Sequence, residues 1–161
     1  MPFTPFHLGP GLALGMLLRN WINIPAILLA SIIVDVRSVY CFFIGNCQLH
    51  GFFHTFLGAT ILGLLVIALI WSFRTPLSKI SKILKIEQDY SLQSIAAGAL
   101  IGVWVHITLD AFLYPEMHPF WPIEGNAPLL GVLSNPAVYG LCMIGFLIGG
   151  MIYLWRLIRH S

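Results

Sequence analysis

Residues 93–114, QSIAAGALIGVWVHITLDAFLY, decide what kind of fold this chain adopts. The only ionisable groups in these 22 residues, apart from the terminal tyrosine, are His106 and Asp110. At about 1.5 Å of rise per residue, a helix of this length crosses a hydrocarbon core of roughly 30 Å. Two further stretches read the same way: 52–73, with His54 as its ionisable group, and 136–155, which carries no charge. The whole chain is 58% hydrophobic and 9% charged, with a mean hydropathy of +0.89 and 15 glycines. That composition excludes a soluble domain of this length. The fold expected is an all-α, polytopic membrane bundle with three full spans, forming one domain over residues 1–161 without repeats.

The first 35 residues add a short helical hairpin. Segments 6–18 and 22–34 are each about 20 Å long as helices, short for a crossing, with Arg19-Asn20-Trp21 as the turn between them. No basic residue precedes the first apolar stretch, so a cleavable signal peptide is not expected. Arg74, Lys79, Lys82 and Lys85 lie between segments 52–73 and 93–114, and Arg156 and Arg159 follow the last segment. The positive-inside rule puts these residues, and with them Arg19, in the cytoplasm, leaving Arg37 alone on the other side. Residues 75–86 then form a cytoplasmic interfacial helix, with Thr75 as a cap and Pro76 at its start. Leu77, Ile80, Ile83 and Leu84 share one face and the lysines the other.

This orientation carries a consequence for the polar residues. His7, Asp35, His50, His54, His106 and Asp110 fall in the outer parts of their segments and His118 in the loop beyond, so all seven converge on one leaflet. An ionisable group at bilayer depth costs about 2.5–3.5 kcal/mol on insertion scales and usually serves a function. Gly11/Gly15, Gly98/Gly102 and Gly145/Gly149 are small pairs at four-residue spacing, which let helix backbones approach closely in lipid.

The sharpest motif is His106-Ile-Thr-Leu-Asp110. A spacing of four sets imidazole and carboxylate on one helical face, able to reach one metal or two adjacent ones, or to pair with each other. His50-Gly-Phe-Phe-His54-Thr repeats that spacing if a helix starts by residue 50, with His54 the deeper residue. His50 is left open as a ligand, a group supporting a ligand or an interfacial histidine. Asp35 closes the run ILLASIIVD and suits a metal ligand or general base, or a partner for Arg37. The outer loop 115–135 is proline-rich, with Phe120 and Trp121 suited to the headgroup region. It reads as a cover over the mouth of the site, with Glu116, His118 and Glu124 as secondary candidates. Cys41 and Cys47 are spaced to permit a disulfide in an oxidising compartment, and Cys142 fills space in the last span.

The order His7, Asp35, His54, then HITLD resembles the membrane-bound metal-dependent hydrolases of the YdjM type. PFTPFH, ILLASIIVD and HGFFHTFLG carry the resemblance, which covers roughly residues 1–125. That family is similar at motif level to the zinc-dependent phospholipases C, which are soluble, helical and trinuclear. The resemblance implies that His7, His54, His106 and Asp110 are ligands, and Asp35 a ligand or general base. Many family members have Arg where this chain has Gly51, and the phospholipases' N-terminal tryptophan has no counterpart in Met1. One or two ions, zinc or manganese, are therefore expected rather than three.

The function expected is a metal-dependent hydrolase of the prokaryotic plasma membrane with its site on the extracytoplasmic side. Metal-activated water would attack a phosphoester or acyl ester, with a lipid or other amphiphile as substrate. Metal lowers the pKa of bound water to about 7. Asp35 would orient or deprotonate that water, and Arg37 or His118 would offset charge on the reacting oxygen. No nucleic-acid partner is expected. Two alternatives stand beside this: a metal-ion or proton transporter, and a non-catalytic subunit of a larger membrane complex holding a pigment or metal through histidine.

Overall fold

Local chemistry sets where each helix begins and ends. The structure, a computed structural model, describes residues 4–45, 49–123 and 129–159. These residues form helices and connecting turns, with no strand among them. A one-turn 3-10 helix, Thr4–His7, leads into α1, Leu8–Leu17. Helix α2, Ile24–Ile33, starts where the Asn23 side chain accepts the Ala26 N–H at 3.1 Å, with Pro25 at a position that needs no donor. After a break at Val34-Asp35 the chain continues as α3, Val36–Ile44, and Gly45 ends it at a φ of 79°. Together Ile24–Ile44 make a 21-residue apolar segment long enough to cross a membrane. The second arm of the expected hairpin therefore runs on past Asp35. Arg37 and Ser38 hide this in the sequence: Ser38 turns inward to donate to the Leu49 carbonyl at 2.6 Å, while Tyr40, Phe42 and Phe43 face outward.

Helix α4, Phe56–Ser72, begins after a 3-10 turn at Phe52–His54, with the Thr55 hydroxyl accepting the Gly58 N–H at 2.9 Å. His50 and His54 thus do not share one α-helical face. Helix α5, Arg74–Ile83, turns off at 76° to α4. No side chain caps its start, and Thr75 lies inside it. Leu77 packs inward and Ser81 bonds Tyr90 at 2.7 Å, while Ile80 and Ile83 are exposed. Helices α6, Leu92–Ala111, and α7, Asn135–Arg159, are the other two segments long and apolar enough to span. The 17-residue α4 makes a fourth if its bent extension is counted with it.

Glycines set how closely the helices pack. A Cβ on Gly102 of α6 would lie 2.6 Å from the Ala30 Cβ of α2, and one on Gly145 of α7 would lie 2.5 Å from the Gly9 backbone of α1. Such approaches let van der Waals contact hold helices together in lipid. The core between α2, α4 and α6 is accordingly small and aliphatic: Ala26, Ala30, Ala59, Val66, Ala99 and Val103. Outside it, α4 and α7 expose Leu64, Leu65, Leu147, Met151 and Leu154, an apolar surface that requires a lipid surround. The alternating helices bring the start of α1, the α2–α3 break, the start of α4 and the end of α6 to one end of the bundle. Arg19, Arg74 and Arg156 mark the other.

Candidate metal centre

The α2–α3 break is the local event that builds the site. At Asp35 the backbone N–H bonds the Ile32 carbonyl at 3.1 Å, three residues back rather than four. The Ser31 carbonyl, left without that partner, accepts the His106 Nδ1–H at 2.8 Å. A carbonyl only accepts, so Nδ1 carries the ring proton and His106 Nε2 is turned toward the carboxylates. Fixing one imidazole nitrogen on a carbonyl is the usual support for a metal-ligating histidine.

His106 Nε2 lies 3.4 Å from Asp35 Oδ1 and 3.2 Å from Asp110 Oδ2. His54 Nε2 approaches the same two carboxylates at 3.4 and 3.9 Å. One ligand atom from each of Asp35, His54, His106 and Asp110 falls within 4.8 Å of the others, and all four residues are buried. His7 completes the group: its Nε2 is 3.2 Å from Asp110 Oδ1, and its ring stacks on His106 with centroids 3.9 Å apart.

These donors fit a cation. Five buried ring or carboxylate atoms in the cluster have no hydrogen-bond partner: both nitrogens of His7, Asp35 Oδ2, His106 Nε2 and Asp110 Oδ1. Buried polar atoms left this way are costly unless something satisfies them, and the cost is greatest for carboxylates. Nitrogen and oxygen donors converging from the turn before α1, the α2–α3 break, the turn before α4 and α6 are what a divalent first-row ion accepts.

Three expected residues stand outside this cluster. His50 places Nδ1 2.8 Å from Glu116 Oε1 and stacks on Tyr114 at 4.1 Å, with its ring centroid 4.9 Å from that of His54. Burial raises the Glu116 pKa, but a backbone hydrogen bond and His50 outweigh it and hold the carboxyl below its ordinary value. His118 is exposed and, with His50, Gly51, Phe52, Thr55 and Trp121, lines a cavity of about 240 Å³. Arg37 lies against Gly51, where a Cβ would collide with its guanidinium. Segment 115–123 folds over the start of α4: Phe56 N–H donates to the Pro119 carbonyl at 2.8 Å, and Met117 is fully buried. Glu124 and Cys47, with its expected bridge to Cys41, lie outside the described residues.

Sequence reasoning missed Ser31 and Tyr114. Ser31 sits four residues before Asp35, which is the one signal that could have drawn it in; Tyr114 left none.

An all-helical bundle with lipid-exposed apolar helices and a buried His/Asp cluster at one end is an integral membrane protein with a candidate metal site. The chain belongs to the YdjM inner membrane protein family, whose model matches residues 1–160. No curated protein and no solved structure matches it.

Proposed function

We propose that this protein is a membrane-bound, metal-dependent hydrolase acting on a phosphoester or acyl ester of an amphiphilic molecule. The observation that carries the proposal is His106, its proton held by Ser31 and its other nitrogen facing two carboxylates that lack enough donors. Asp35, His54, His106 and Asp110 would hold the ion, with His7 beside them, and zinc or manganese suits the donor set, as one or two ions. Such an ion supplies an activated water at neutral pH.

The remaining roles fall to the chain's own side chains. Asp35, with Oδ2 unpartnered, is the side chain placed to orient an attacking water and would take its proton. The cavity lined by His50, Gly51, Phe52 and His118 receives the polar head of the substrate. Arg37 and His118 supply positive charge or hydrogen-bond donors to the reacting oxygen. Phe52, Phe120 and Trp121 hold the apolar part at the level of the headgroups. The lysines and arginines at the opposite end favour a cytoplasmic location for that end, which supports a site facing the extracytoplasmic side of a prokaryotic plasma membrane.

A transporter would need polar groups continuing through the bundle. Between the cluster and the basic end, the described residues bury Ile27, Ala26, Val66, Ala99 and Val103, with Asn23 and Ser94 as buried polar side chains only near the basic end, which favours hydrolysis over transport. The test is hydrolysis of phosphoester and acyl-ester amphiphiles in mixed micelles by the purified protein, with Asp35→Asn alongside. Turnover abolished by chelator, restored by zinc or manganese and reduced at least about 100-fold in Asp35→Asn is expected. Metal bound without turnover on either ester class would overturn it.

A further inference from the structure

At the end of the bundle remote from the His/Asp cluster, Arg156 is buried to 8% exposure, and its Nε and Nη1 have no hydrogen-bond partner. No carboxylate among the described residues lies within ion-pair distance of it. A guanidinium is charged at every accessible pH, so leaving two of its donors buried and unsatisfied is costly. Arg156 borders a cavity of about 240 Å³ whose other walls are Lys82, Lys85 and Glu87. Lys82 and Arg156 bring two positive charges to this cavity against the one carboxylate of Glu87.

The surrounding backbone holds this arrangement in place. Tyr153 Oη donates to the Leu84 carbonyl at 3.2 Å, fastening the last turns of α7 to the end of α5. The end of α5 closes with Ile86 N–H on the Ser81 carbonyl at 2.8 Å, and Lys85 takes the left-handed position at a φ of 55°. Glycine is the usual occupant there, and here a lysine borders the cavity instead.

We propose that Lys82, Lys85 and Arg156 form an anion site at the cytoplasmic end of the bundle that binds a phosphate-bearing group, either an anionic lipid headgroup or free phosphate. A planar guanidinium pairs with phosphate oxygens through two donors, and lysines add point charges. The location at the end of a span, beside the interfacial helix α5, suits a headgroup of the inner leaflet. The site is separate from the candidate metal centre and does not depend on it.

The test is thermal unfolding of the full chain in neutral detergent with phosphatidylglycerol, phosphatidylcholine or inorganic phosphate added. Arg156→Gln and Lys82→Gln/Lys85→Gln are measured in parallel. Phosphatidylglycerol is expected to raise the melting temperature of the parent protein, and phosphatidylcholine to do so much less. A rise with inorganic phosphate equal to that with phosphatidylglycerol assigns the site to a soluble anion. Apparent affinity for the effective ligand falls about tenfold or more in each variant. The lysine variant keeps Arg156, so it reports binding even if Arg156→Gln fails to fold. No shift with any anion, or an equal shift in the lysine variant, overturns the proposal.

Discussion

Replacing Gly102 by alanine would place a methyl group 2.6 Å from the Ala30 Cβ and 2.7 Å from the Ile27 carbonyl oxygen. Ordinary carbon contacts lie at about 3.5–4.0 Å, so α2 and α6 must separate by roughly 1 Å. Gly102 is one turn before His106, and Ala30 is next to Ser31. The separation therefore reaches the 2.8 Å His106–Ser31 bond and stretches it beyond hydrogen-bonding range. Overpacking costs about 1–3 kcal/mol and the lost hydrogen bond about 1 kcal/mol more. The same shift moves Asp35 away from His106 and Asp110, and a displacement of about 1 Å is enough to cost a site roughly 100-fold. The assay is zinc affinity by chelator competition in detergent, together with melting followed by circular dichroism. Gly140→Ala is the control, since a Cβ there meets nothing within 4 Å and the change favours helix. Gly102→Ala is expected to stay helical, melt lower and bind zinc at least about tenfold more weakly. Zinc affinity within about twofold of the parent would refute the claim that this helix contact sets the site.

Three other outcomes are expected. Thr55→Ala removes the acceptor for the Gly58 N–H and destabilises by about 1 kcal/mol, seen in melting, with Thr55→Ser restoring it. Gly51→Ala expels the Arg37 guanidinium, lowering ester turnover about tenfold or more while elemental analysis finds the metal content unchanged. Stripping metal with a chelator lowers the melting temperature, and zinc restored at about 100 times its dissociation constant adds about 2.7 kcal/mol of stability. A melting temperature indifferent to both treatments contradicts the role given to the five unpartnered atoms.

The parts of this molecule that could be read in its sequence are those set by local pattern. Hydropathy marked α4, α6 and α7 because lipid demands unbroken apolar runs, and the spacing of four marked His106 with Asp110 because one helix carries both. Asp35 and His54 were legible as costly residues in apolar segments, and the orientation of those segments brought them to the same end. Three features depend on tertiary structure and were not legible. The extension of α2 into α3 is masked by Arg37 and Ser38, whose partners are distant in sequence. The role of Ser31 is played by its carbonyl, which every residue has, and is created by one shifted backbone bond at Asp35. The burial of Arg156 follows from α7 meeting the end of α5, and in sequence it reads as one more charge flanking a span.

A cation shared by Asp35, His54, His106 and Asp110 is tested most directly by the metal content of the detergent-purified protein against His106→Ala/Asp110→Ala. Elemental analysis is expected to find at least one divalent ion per chain in the parent and almost none in a folded, helical double variant. A parent free of metal, or a double variant that keeps its full complement, would contradict it.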